Sequence, residues 1–67
     1  VDLDALAAEA QRLLGDASPL VRGAAVWALA QLLTAETFAA LAANNMGSEP
    51  DQTVQEEWQS AIAAAKS

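Results

Sequence analysis

Two residue types that carry much of protein chemistry are missing from this 67-residue chain: it has no cysteine and no histidine. Without cysteine, its own side chains cannot build a disulfide, a zinc–thiolate centre or a cysteine-held iron–sulfur cluster. Without histidine, it lacks the commonest general base and metal ligand. Cations are scarce as well. Arg12, Arg22 and Lys66 stand against nine carboxylates, for a net charge of −6. That balance argues against autonomous, phosphate-driven nucleic-acid binding, which needs clustered Lys and Arg. A solvated acidic surface that keeps a small domain soluble is the simpler reading, an acidic partner-docking face the other. There is no long apolar run and no signal sequence, and residue 1 is Val rather than Met. The expectation is a piece of a longer intracellular, cytoplasmic protein with no membrane association. The 54% hydrophobic content leans on Ala, which suits helices but buries little, so a core of this size is marginal.

What is present is helical periodicity, with no sustained period-two alternation to suggest a strand. Asp2 or Asp4 can cap a first helix to about Leu14, with Leu3, Leu6, Ala10, Leu13 and Leu14 on one face. Gly15 suits the position past a helix end where positive φ is wanted. Ser18 can cap a second helix, with Pro19 at its first position, running to near Leu33. Thr34 can cap a short third helix from Ala35 to about Ala43, and Asn44 and Asn45 suit a left-handed ending. After the loop from Asn44 to Pro50, Asp51 can cap a fourth helix bearing Val54, Trp58, Ala61 and Ile62 on one face. The expected core is Leu6, Leu13, Val21, Ala25, Leu29, Leu32, Phe38, Leu41, Val54, Trp58 and Ile62. The second helix is apolar nearly all round. Its Leu20 and Trp27 lie off the main arc and are either core or an exposed domain-docking patch.

The chain repeats itself. Val21 set over Val54 puts Ser18 over Asp51, Ala28 over Ala61, Leu29 over Ile62 and Ala30 over Ala63, an offset of 33 residues. Leu3 and Leu6 match Phe38 and Leu41 more loosely. Where the first copy has Asp16 and Arg22, the second has Glu49 and Gln55, so the polar fourth helix reads as a terminal cap. The run Leu13-Leu14-x-Asp16-x-x-Pro19-x-Val21-Arg22-x-x-Ala25-x-x-Ala28-Leu29 resembles a HEAT-type helical hairpin. The expected fold is all-α: one domain over 1–67, four helices in two stacked antiparallel hairpins, repeat 1 over about 2–33 and repeat 2 over about 35–65.

No catalytic constellation emerges. Asp2 with Asp4, and Glu56 with Glu57, read as helix-start charge and surface solvation, and helical spacing sends the second pair to different sides. Asp51 lacks the ligand ladder of a calcium loop, and Gly15, Gly23 and Gly47 stand alone, so no phosphate cradle exists. Arg22 is the one charge in an apolar stretch. It either bonds to Asp16 or nearby turn carbonyls, or is an exposed ligand-binding arginine.

The words Ser18-Pro19-Leu20-Val21-Arg22-Gly23-Ala24-Ala25-Val26-Trp27-Ala28-Leu29 also resemble the C-terminal region of the bacterial epoxyqueuosine reductase family. Asp51-Gln52-Thr53-Val54-Gln55-Glu56-Glu57-Trp58 is similar to that family's closing pattern of an acidic turn, Val-Arg, then Glu-Trp, and departs from it at Gln55. The resemblance implies a parent that reduces epoxyqueuosine to queuosine in tRNA with cobalamin and two [4Fe–4S] clusters, whose ligands lie upstream. This chain would then be a non-catalytic accessory domain that holds no cofactor. It would be a monomer as a fragment, would pack on the parent's catalytic domain and would meet tRNA through the parent only. Arg22 is the one tRNA contact carried over. The competing expectation is a HEAT-type protein–protein interaction module of an unrelated parent.

Overall fold

The computed structural model describes the backbone of residues 2–66 and the side chains of residues 2–64. Within them lie α1 (Leu3–Leu13), α2 (Pro19–Leu32), α3 (Ala35–Asn45), a 3₁₀ turn (Met46–Ser48) and α4 (Gln52–Lys66). The helix starts follow from capping chemistry. Asp2 accepts the backbone N–H groups of Asp4 and Ala5, Thr34 that of Thr37, and Asp51 that of Val54, satisfying donors that a first helical turn leaves orphaned.

Three local expectations are corrected. Ser18 holds the N-cap position of α2, but its hydroxyl does not cap; instead its own N–H is held by Asp16 Oδ1 at 2.9 Å. No glycine has positive φ, so Gly15 does not reverse the chain in the left-handed region. The exit from α1 is made by tightened i to i−3 bonds, from the N–H groups of Leu14, Gly15 and Asp16 to Gln11, Arg12 and Leu13. Asn44 and Asn45 are not left-handed either. α3 runs on to Asn45, whose side-chain amide caps the Leu41 carbonyl at 2.7 Å, and the 3₁₀ turn follows directly.

In space the order is α1, α2, α4, α3: α2 packs most extensively on α4 and on α1, and α3 packs on α4. The radius of gyration, 10.9 Å, equals that of a compact chain of this length, about 11 Å. At the centre lie Val26, Leu29, Phe38, Ala42, Val54, Trp58 and Ala61, with the Phe38 and Trp58 rings 5.4 Å apart at a 32° tilt.

Of the expected core, Ala25, Leu29, Phe38, Val54 and Trp58 are buried; Leu13, Val21, Leu32, Leu41 and Ile62 are half-buried. Leu6 is 47% exposed. Because α1 is an outer helix, it turns the small residues Ala7 and Ala10 inward and leaves its leucines without a second layer. α2 is central enough to bury Gly23, Ala25, Val26 and Leu29, yet Leu20 stays 85% and Trp27 38% exposed, so Trp27 is not a core residue.

Candidate functional site

The polar centre of the molecule joins its two halves. Glu49 is the one buried charged residue among those described. It sits in the segment between the 3₁₀ turn and α4, and Arg22 reaches it from the first turns of α2. The contact is a fork: Arg22 Nε donates to Glu49 Oε1 at 2.9 Å and Nη2 to Oε2 at 3.0 Å. Nη1 is shared between the carbonyls of Asp16, at 2.8 Å, and Ala17, at 3.2 Å. The Arg22 and Glu49 side chains are only 12% and 6% exposed. The hydrogen bond to Glu49 raises the Arg22 pKa above its ordinary value; desolvation opposes this, and the charges of Glu49, Asp51 and Asp16 add to it. Of the alternatives for Arg22, turn-carbonyl bonding is observed, but its carboxylate partner is Glu49 rather than Asp16.

Around this pair one bonding scheme occurs twice, 33 residues apart. Asp16 Oδ1 accepts the Ser18 N–H at 2.9 Å, and Glu49 Oε2 accepts the Asp51 N–H at 2.9 Å. Arg22 donates to the Asp16 carbonyl at 2.8 Å, and Gln55 donates to the Glu49 carbonyl at 2.7 Å. These four positions fall in register at the 33-residue offset, but the Arg22–Glu49 bond does not follow from that register. The one non-local signal is the acid at the position equivalent to Asp16, which follows Arg22 by 27 residues.

Two surfaces flank this centre. On one, the N-terminal halves of α2 and α4 border an open groove of about 310 Å³ lined by Leu20, Gly23, Trp27, Asp51, Val54 and Glu57, among others. The Trp27 indole N–H donates to the Glu57 carboxylate across it. So the two docking-patch candidates, Leu20 and Trp27, do share a surface, and it carries acidic neighbours. On the other, α1 and α2 expose two adjoining apolar depressions of about 380 Å³ each, bounded by Leu6, Leu13, Leu20, Val21, Ala28 and Leu32 among others.

The remaining described arginine, Arg12, is exposed and paired with Glu9 one turn away on α1. No group of three or more His, Cys, Asp or Glu side chains that could hold a metal ion lies among the described residues, and the sequence has neither cysteine nor histidine. Among the described residues no helix is long and apolar enough to cross a membrane. No family model, no curated protein and no solved structure matches the chain.

Proposed function

We propose that this chain is a non-catalytic HEAT-like module of two stacked antiparallel hairpins, an accessory domain of an epoxyqueuosine reductase-like enzyme. The observation that carries the module is the duplicated turn: Asp16 with Arg22, and Glu49 with Gln55, make the same two hydrogen bonds. Such modules bind and position through surfaces rather than through reactive side chains. The parent is carried by the resemblance of residues 18–29 and 51–58, and the iron–sulfur clusters and cobalamin belong to that parent.

In this reading the module packs on the catalytic domain and helps position tRNA without gripping it alone. Arg22 remains the tRNA contact that the resemblance suggests, but its forked bond to Glu49 favours a structural role. A phosphate there would have to displace a carboxylate that already occupies the fork.

The test is anaerobic purification of the longer polypeptide containing this chain, and of the 67 residues alone. The longer form is expected to hold [4Fe–4S] clusters and to reduce epoxyqueuosine in tRNA, the 67 residues to do neither. A longer polypeptide without clusters, or activity in the 67 residues, contradicts the assignment. Loss of clusters with a retained protein partner would favour the general interaction module.

A further inference from the structure

We infer that the groove between α2 and α4 is a docking site for a polypeptide segment presenting an arginine flanked by apolar side chains, which meets Trp27 and Glu57. This rests on the reading of the chain as a module that binds through its surfaces. It goes further by giving that binding a place, a partner chemistry and two contact side chains.

The groove contains a glycine that the fold does not need. Gly23 lies inside α2, where glycine is a poorer helix former than alanine. Its φ is not positive, so no backbone conformation calls for it. No close approach calls for it either, since a Cβ built there would meet only Glu57 Cγ, at an ordinary 3.7 Å. What the missing side chain does is keep the groove open one helical turn before Trp27. α2 therefore gives up helix stability at the position where a side chain would narrow the groove.

The walls of the groove set the chemistry of its occupant. Leu20 and Trp27 give it an exposed apolar rim. Glu57 on the α4 side is half-buried; its Oε2 accepts the Trp27 indole N–H, and its other oxygen accepts no hydrogen bond among the described residues. Asp51, also in the lining, accepts the Val54 N–H through Oδ1 alone. Neither described arginine lines the groove. Arg12 is paired with Glu9 on α1, and Arg22, though near Asp51, has its donors committed to Glu49 and to turn carbonyls. Glu57 is thus a half-buried carboxylate beside an indole and without a cation. An arginine suits this pair better than a lysine, whose ammonium is more strongly hydrated. The guanidinium bonds a carboxylate and stacks on an aromatic ring, while its stem covers apolar surface. A neutral or acidic partner would bury Glu57 without a counter-charge. The net charge of −6 draws a basic segment toward the chain.

An NMR titration of the ¹⁵N-labelled 67-residue chain tests this. The probe is the peptide acetyl-Ala-Leu-Arg-Leu-Ala-amide, against the same peptide with citrulline, which keeps the shape of arginine without its charge. The chain has two tryptophans and so gives two indole N–H signals. On addition of the arginine peptide the Trp27 signal should move, while that of buried Trp58 stays in place. Citrulline should weaken binding by about tenfold, the effect of losing a charge-assisted hydrogen bond. Glu57→Gln keeps an oxygen for the Trp27 N–H and removes only the charge, so it should weaken binding by about the same factor. Gly23→Ala should weaken binding while raising the urea midpoint, a combination that a damaged fold cannot give.

A Trp27 signal that stays in place at about 1 mM peptide overturns the inference. So does equal affinity for the citrulline peptide, or affinity untouched by Glu57→Gln or by Gly23→Ala. A Trp27 signal that moves when the chain alone is concentrated also overturns it, because a second copy then fills the groove. Charge-dependent peptide binding, with a longer polypeptide that lacks reductase activity, upholds this inference and removes the assigned parent. Reductase activity with an unmoved Trp27 signal does the reverse.

Discussion

Arg22 and Glu49 lie 27 residues apart in sequence, and neither has a local cue that announces the other. Hydrophobic periodicity sees apolar faces, and a lone arginine in an apolar stretch is silent about its partner. Glu49 was hidden further by sitting in a loop, where an acid is ordinarily solvated. Removing it should be felt strongly. Glu49→Ala strands the guanidinium among half-buried groups and also strips the Asp51 N–H of its acceptor. The expected fall in thermal midpoint is roughly 5–15 °C, measured by circular dichroism. At the first turn the expectation is asymmetric. Ser18→Ala should change little, because that hydroxyl caps nothing, whereas Asp16→Ala frees the Ser18 N–H and should destabilise. Two leucines give the same kind of contrast. Leu29→Ala, at 0% exposure, should cost about 2–5 kcal/mol, while Leu6→Ala, at 47%, should be close to neutral in the 67-residue chain.

The starts of α3 and α4 were legible because Thr34 and Asp51 cap by the local rule; at α1 the sequence left Asp2 and Asp4 open and Asp2 is the cap, and at α2 Ser18 holds the position without capping. Helix ends were less legible, because an α-helix can close by a left-handed reversal or by tightening into 3₁₀ bonds. At Gly15 and at Asn45 the chain takes the second route, which needs no special residue. Gly15→Ala should therefore be tolerated, with its new Cβ in ordinary contact 3.6 Å from the Arg12 carbonyl. Gly23→Ala should stabilise α2 by up to about 1 kcal/mol, since the added methyl meets Glu57 Cγ at an ordinary 3.7 Å and Ala is the better helix former. Urea unfolding of both variants checks this. On α1, the hydrogen bond from Arg12 holds the Glu9 pKa below its ordinary value. Any stability this pair contributes is present above the ordinary carboxylate range and disappears as pH falls through the lowered value. Both side chains are exposed, so salt should remove it as well.

For the whole molecule, 67 residues imply a total stability of roughly 3–10 kcal/mol, so single core or polar-centre changes decide whether it folds. The all-helical class and the four helices could be read from the sequence, since both are written in periodicity and turn residues. Which helices lie outermost could not, because that depends on neighbours; hence the sequence puts Leu6 in the core although it is exposed, and leaves Trp27 between core and docking patch. The net charge of −6 also sets an expectation for nucleic acid. The 67 residues alone should show no submicromolar, salt-sensitive tRNA binding in a filter or anisotropy titration, because three cations cannot drive enough counterion release.

The central claim is that an arginine of the first copy and an acid of the second lock the two halves into one unit. A double-mutant cycle at equilibrium tests it most directly, with Arg22→Gln, Glu49→Gln and the pair, each unfolded in urea. If the two side chains act as one joint, the double variant loses no more stability than the more damaging single variant. Single effects that simply add, or single variants as stable as the wild type, would contradict it.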